Sequence, residues 1–90
     1  MKIIAVKPIE KKHARFINAS TLVMFHAIDY DNGVRTKLVF SGGTYEVEGD
    51  HTKKISEFMS TDENCGLLEL NKCEEIKHSY WEKKGENEDA

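Results

Sequence analysis

Two cysteines and one histidine form the only group of residues with the chemistry of a metal site. Thiolate and imidazole ligands suit zinc, and the group consists of Cys65, Cys73 and His78. Seven residues separate the two cysteines, whereas two thiolates that share one ion usually lie closer in sequence. A fourth ligand would have to be His51 or an acidic residue. We therefore predict ordinary buried or half-buried cysteines, no metal and no cofactor.

Catalysis by one of these thiols would need a histidine beside it and an oxyanion site nearby. No local motif places His51 or His78 next to a cysteine. Paired carboxylates have no better support, because the acidic residues fall on predicted strand exteriors and near the C-terminus. Gly42 and Gly43 lack the downstream Lys-Ser or Lys-Thr of a phosphate-binding loop. The sequence therefore predicts a protein that is not an enzyme and has no catalytic residues.

Charge is distributed unevenly along the chain. The formal net charge is −3, which argues against non-specific nucleic-acid binding by the whole molecule. Residues 1–28, however, carry five cations against one acid, for a net +4 that leaves −7 on residues 29–90. Cations on one turn could neutralise adjacent phosphates, with Phe16 or Tyr30 as a stacking face, although a solvated loop is the simpler interpretation. The nucleic-acid candidates are Lys7, Lys11, Lys12 and Arg15.

Two aromatic residues near the C-terminus are the best candidates for a protein interface. Tyr80 and Trp81 are of the types that anchor interfaces when they do not fold inward. Packing of at least one of them in the core is an equal alternative. We predict that a protein partner docks on the acidic C-terminal half, with Tyr80, Trp81, Glu74 and Glu75 as its contacts.

The length and composition predict one small domain. The chain has 90 residues, 39% of them hydrophobic, enough for a modest core but not for a deep substrate cleft as well. No apolar run reaches membrane-spanning length, and only two cysteines are present, as in a reducing compartment. We predict a cytoplasmic protein with no membrane contact. Its domain should comprise residues 1–82, followed by a disordered acidic tail at 83–90.

The middle of the chain has the clearest pattern of secondary structure. If Gly42 and Gly43 form a two-residue hairpin loop with positive φ, Phe40 lies opposite Tyr45 and one face becomes apolar. Replacing Gly43 with Val should then destabilise the domain. Past the hairpin, the spacing of apolar residues changes to a helical one, and Asp50 could cap the helix. The pattern predicts a covering helix over about residues 50–60, with Ile55, Phe58 and Met59 on its apolar stripe.

The flanking segments predict further strands. Residues 3–6 indicate a buried first strand, and residues 14–17 an extended segment. Residues 22–30 are apolar at odd and even positions, which predicts the central strand, and residues 31–33 indicate a hairpin of the Asn-Gly type. Residues 65–82 fit either a helix or strands with a turn at Asn71-Lys72, and we favour strands. The predicted fold class is α+β, a small curved antiparallel sheet with one covering helix.

Part of this pattern resembles a known family. Ile17-Asn18, Val23, the strand at residues 36–40 and the closing helix at residues 55–58 are similar in order to the FlbD family of small flagellar-operon proteins. The resemblance covers residues 1–59 and extends more distantly to LytTR-type DNA-binding domains. It implies a small sheet with a terminal helix and a non-enzymatic regulatory or accessory role. Small size and the lack of recognisable chemistry also fit a phage or another mobile element as the source.

Overall fold

The structure is a computed structural model that describes residues 1–76. Its strands are β1 (Lys2–Pro8), β2 (Arg15–Asn18), β3 (Leu22–Tyr30), β4 (Gly33–Phe40), β5 (Gly43–Glu48) and β6 (Gly66–Ile76). A 3-10 turn at Ala19–Thr21 links β2 to β3, and one helix, α1, spans Thr52–Ser60. The predictions for residues 77–90, including those for His78, Tyr80, Trp81 and the tail at 83–90, lie outside the described residues.

All six strands belong to one open, curled sheet in the order β2-β1-β6-β5-β4-β3. The α+β class, with mostly β structure and one helix, is confirmed. An entirely antiparallel sheet was predicted, and this is wrong at one position, because β1 and β6 run parallel. These two strands are the first and last along the described chain, and local sequence patterns contain no information about how such distant strands pair.

The β4–β5 hairpin forms, but its turn lies one residue earlier than predicted. Phe40 pairs with Gly43 and Leu38 with Tyr45, so the loop is Ser41-Gly42. Moving the turn by one residue shifts the cross-strand partner by two, which leaves each side chain on its predicted face. The predicted positive φ at Gly42 and Gly43 is also wrong, since Gly33 and Gly49 are the glycines with positive φ among the described residues.

β3 is an edge strand, not the predicted central one. Among the described residues it pairs only with β4, and none of its nine residues is buried. The predicted hairpin between β3 and β4 is confirmed, with Tyr30 opposite Gly33. Val23 forms a bulge near the start of the strand, because Leu22 pairs with Phe40 while Met24 pairs with Val39. Apolar residues on both faces therefore do not mark a strand covered on both sides.

The predicted helix forms where the strand spacing ends. Gly49, with φ of 95°, ends β5, and Asp50 accepts hydrogen bonds from the amide and hydroxyl of Thr52 at 3.0 and 2.6 Å. Both bonds favour the carboxylate and lower the pKa of Asp50. Ile55 is buried, and the predicted stripe is completed by Phe58 and Met59, which pack against the core. The covering helix is thus confirmed.

β6 confirms the strand interpretation of residues 66–76 but contains no turn. Val6 pairs with Leu70 and Pro8 with Cys73, so an extra residue is accommodated at Asn71-Lys72 as a bulge. Lys72 there has φ of 59°. The bulge reverses the alternation of the strand, and Leu68, Leu70 and Cys73 are consequently all buried. β6 pairs with β1 as far as Cys73, and from Cys73 onward it pairs with β5.

The core occupies the concave face of the sheet beneath α1. Lys2 fastens the end of that helix, because its ammonium donates to the carbonyl oxygens of Phe58 and Thr61 at 2.8 and 2.9 Å. The buried apolar side chains that form the core cluster are Ile4, Val6, Ala19, Leu38, Phe40, Tyr45, Val47, Ile55, Leu68, Leu70 and Cys73.

Candidate functional site

The two acids predicted to contact a protein partner form ion pairs within the chain. Glu75 accepts a hydrogen bond from Arg15 at 2.7 Å, and the same guanidinium donates to the Tyr45 hydroxyl at 3.0 Å. Glu74 accepts from Arg35 at 3.0 Å. Glu75 pairs with Tyr45 across the β5–β6 ladder and so shares its concave face, whereas Glu74 lies on the opposite face. The structure therefore does not bring these acids together on one docking surface.

A second polar cluster surrounds Arg35 on the outer face of the sheet. Its guanidinium lies 3.6 Å from Glu46 and 5.3 Å from the centre of the Tyr30 ring. Tyr30 donates a hydrogen bond to Glu46 at 2.9 Å, and because only the protonated phenol can donate this bond, the pKa of Tyr30 is raised. These contacts tie β3, β4, β5 and β6 together, which is a structural role.

The four predicted nucleic-acid contacts do not converge. Lys11 and Lys12 are exposed in the β1–β2 loop. Arg15 lies opposite Val6, so it is on the concave side, whereas Lys7 alternates to the other face of β1. Acids also surround the basic loop, since a cleft of about 360 Å³ is lined by Glu10, Lys11, Glu74 and Glu75 together with Pro8, Ile9 and Cys73. The arrangement provides no single basic surface for phosphates.

The two cysteines have different environments. Cys73 is buried, its thiol donates to the Leu70 carbonyl at 3.0 Å, and burial raises its pKa to about 11. Cys65 is exposed, with its sulfur 3.4 Å from the Met1 amine. Within residues 1–76, no three His, Cys, Asp or Glu side chains lie close enough to hold a metal ion. The third member of the predicted cluster, His78, is outside that range.

An apolar patch lies on the outer face of the sheet at the β2 end. Phe16 is 68% exposed and lies opposite Ala5, and Leu67 is 53% exposed and lies beside Ile3. Ala5 is itself buried, so we call the more exposed side chains of this face, Ile3, Phe16 and Leu67, the Phe16 patch. Phe16 also borders a cleft of about 570 Å³ between β2 and the β4–β5 turn. From the sequence, Phe16 was predicted only as a possible stacking face for a base, although strand alternation with an inward Ile17 places its ring on the outside.

A second exposed apolar region is the free edge of β3. Val23 is 68% exposed and Met24 is 49% exposed, and Tyr30 is also exposed at the end of the strand. Lysine, arginine and proline, which commonly protect free edges, do not occur in this nine-residue strand. Its charged or titratable side chains are His26, Asp29 and the phenol of Tyr30. Sequence analysis missed this edge because it placed β3 at the centre of the sheet.

Comparison with known proteins does not assign this chain to a family. No protein-family model, curated protein or solved structure matches this chain. The resemblance to the FlbD family and to LytTR-type domains stays a prediction. Within the part of the chain that the structure describes, no helix has both the length and the apolar character needed to cross a membrane.

Proposed function

We propose that this protein is a small non-enzymatic regulatory or accessory protein of the cytoplasm that acts by binding a protein partner at the Phe16 patch. The observation that carries the proposal is the 68% exposure of a phenylalanine on a face that it shares with Ile3, Ala5 and Leu67. Phenylalanine buries a large apolar area when a partner covers it, so such exposure favours a docking role.

The surroundings of Phe16 support a protein ligand. Leu67 and the partly exposed Ile3 extend the apolar surface across β1 to β6, and the cleft beside Phe16 could receive a projecting side chain of the partner. Arg15, already bonded to Tyr45 and Glu75, lies at the rim of the same cleft. An apolar centre with a polar rim is the usual arrangement of a protein–protein interface.

The alternative function, nucleic-acid binding through Lys7, Lys11, Lys12 and Arg15, has less support. Arg15 is paired with Glu75, and Lys11 lines a cleft together with Glu10, Glu74 and Glu75. Phosphate binding would need these cations to be free and on one side. Reversing the charges of Lys11, Lys12 and Arg15 together should therefore leave the partner bound. A DNA or RNA complex that forms with the parent, weakens steeply with salt and is lost in this variant would instead establish the alternative.

The test is capture of the partner from a lysate of the source organism, followed by calorimetry with the purified pair. Phe16→Ala should weaken binding by about 2 kcal/mol or more, as expected for an aromatic anchor. The matched control is Ile9→Ala, because Ile9 is equally exposed, at 67%, but lies outside the patch. Both variants should keep the parent circular dichroism. Equal affinity of Phe16→Ala and Ile9→Ala would refute the proposal.

A further inference from the structure

The free edge of β3 has backbone groups available for pairing. Tyr30 and Gly33 close the two-residue turn, so this pair exchanges hydrogen bonds and alternate pairs along the ladder do the same. Met24, His26 and Ile28 thus bond to β4. The Gly49 amide donates to the Val34 carbonyl at 2.8 Å, which is consistent with this alternation. Val34 does not bond to β3, and its carbonyl instead bonds to the residue that follows β5. The amides and carbonyls of Phe25, Ala27 and Asp29 therefore point outward from the sheet.

We propose that these outward groups pair with the same edge of a second copy of this chain, giving an antiparallel β3–β3 dimer centred on His26. In this register Phe25 and Ala27 of the two copies form hydrogen-bonded pairs, and both residues have free groups. The result is a continuous twelve-stranded sheet with twofold symmetry, in which each copy contributes its six strands.

The side chains of β3 are complementary to themselves in this register. Met24 of one copy lies opposite Ile28 of the other on the outer face, and Phe25 lies opposite Ala27 on the concave face. Asp29 faces Val23, so the two aspartates do not oppose each other, and His26 alone faces its own copy. Shifting the register by two residues toward the C-terminal end would instead place Phe25 opposite Asp29. The apolar pairing therefore favours the register centred on His26 over this shifted one.

The amino-acid composition of β3, compared with that of ordinary edge strands, argues that the strand pairing with this edge comes from a second copy of the chain. A free strand of this length normally carries lysine or proline against self-pairing, and β3 carries neither. The Val23 bulge limits the pairing at one end, and the turn after Tyr30 limits it at the other. The Phe16 patch involves β2, β1 and β6, so this dimer uses different residues from the proposed partner site.

Cysteine cross-linking tests the register. In a Cys65→Ser background, which removes the exposed native thiol, His26→Cys should give a covalent dimer under mild oxidation. Directly opposed residues in non-hydrogen-bonded pairs have Cα atoms about 4.5 Å apart, within disulfide range. Met24→Cys and Ile28→Cys should each stay uncrosslinked alone but cross-link when mixed. Efficient cross-linking of Met24→Cys with itself, or none with His26→Cys, would overturn the proposed register.

Sedimentation of the full chain tests the dimer itself. The parent should sediment as a dimer, whereas His26→Lys, which opposes two ammonium groups at the centre, should be a monomer with unchanged circular dichroism. Phe16→Lys is the matched control, because it places the same charge on an exposed residue of the other edge strand, and it should stay dimeric. A monomeric parent at all concentrations tested, or a His26→Lys variant that remains dimeric, would overturn the proposal.

Discussion

The two edges of the sheet differ in length, charge and attachment. β2 has four residues, and Arg15 ties it across the concave face to Tyr45 and Glu75. β3 has nine residues, no lysine, arginine or proline, and contacts to one neighbouring strand in the sheet. A short edge is poorly suited to pairing with another chain, whereas a long edge without lysine or proline is better suited to it.

The two edges of this small sheet therefore expose two different kinds of group that a partner could recognise. At β2 a single ring, Phe16, projects beside a cleft, and the feature that could be recognised is a side chain. At β3 the feature that could be recognised is the backbone, with side chains that only set the register. We therefore expect the two edges to respond differently to substitution, and three comparisons test this.

The largest loss of stability should come from a substitution in β1, the strand that pairs with β2, and not from one in β3. Ile4 on β1 is fully buried, so Ile4→Ala should lower the free energy of unfolding by about 2–5 kcal/mol. Val23→Ala on β3 should change it by about 0.5 kcal/mol or less, because Val23 is exposed in the bulge. Urea unfolding at low protein concentration measures both. Similar losses for the two variants would mean that β3 belongs to the folding core.

A smaller effect should appear at the turn that holds β3 in place. Gly33 has φ of 133°, so Gly33→Val should cost about 1–3 kcal/mol through backbone strain and loosen β3. Gly43→Val is the matched control in the neighbouring hairpin, where φ is not positive and a Cβ would lie an ordinary 3.9 Å from the Tyr45 ring. In thermal unfolding, the melting temperature of Gly33→Val should be lower than that of Gly43→Val. This reverses the sequence-based expectation that Gly43→Val destabilises the domain.

The smallest loss of stability should come from removing the side-chain bonds that attach β2 to the rest of the sheet. Arg15→Ala removes the bonds to Tyr45 and Glu75, but the side chains of the ion pair, Arg15 and Glu75, are both partly solvent-exposed, so the melting temperature should fall only slightly. The decrease should shrink further at high salt, where the parent ion pair is already screened. Lys12→Ala, which removes an exposed cation from the loop that precedes β2, is the control and should have no effect. A large decrease for Arg15→Ala would show that β2 depends on this one contact.

Local patterns in the sequence were enough to predict the hairpins, the helix and the strand at residues 66–76. The turn at Ser41-Gly42 was misplaced because Gly42 and Gly43 look equivalent until cross-strand partners are known. The parallel β1–β6 pair and the order of the sheet depend on distant contacts, which no local period encodes. β3 was predicted to be a central strand because residues 22–30 are apolar on both faces. Such a pattern indicates that both faces are covered, but it does not indicate whether the covering residues belong to the same chain or to another one.

The parallel pairing of β1 with β6 has a consequence for folding during synthesis. β1 is synthesised before the other described strands, yet its neighbour toward the middle of the sheet is the last of them, so the pairing of Ile4 and Val6 with Leu68 and Leu70 forms only after residues 66–76 have been made. The two hairpins of β3, β4 and β5 can form earlier, because their contacts are local. A nascent chain that ends before residue 66 could form these hairpins and the local β1–β2 pair, but the side of β1 that faces β6 would have no strand to pair with.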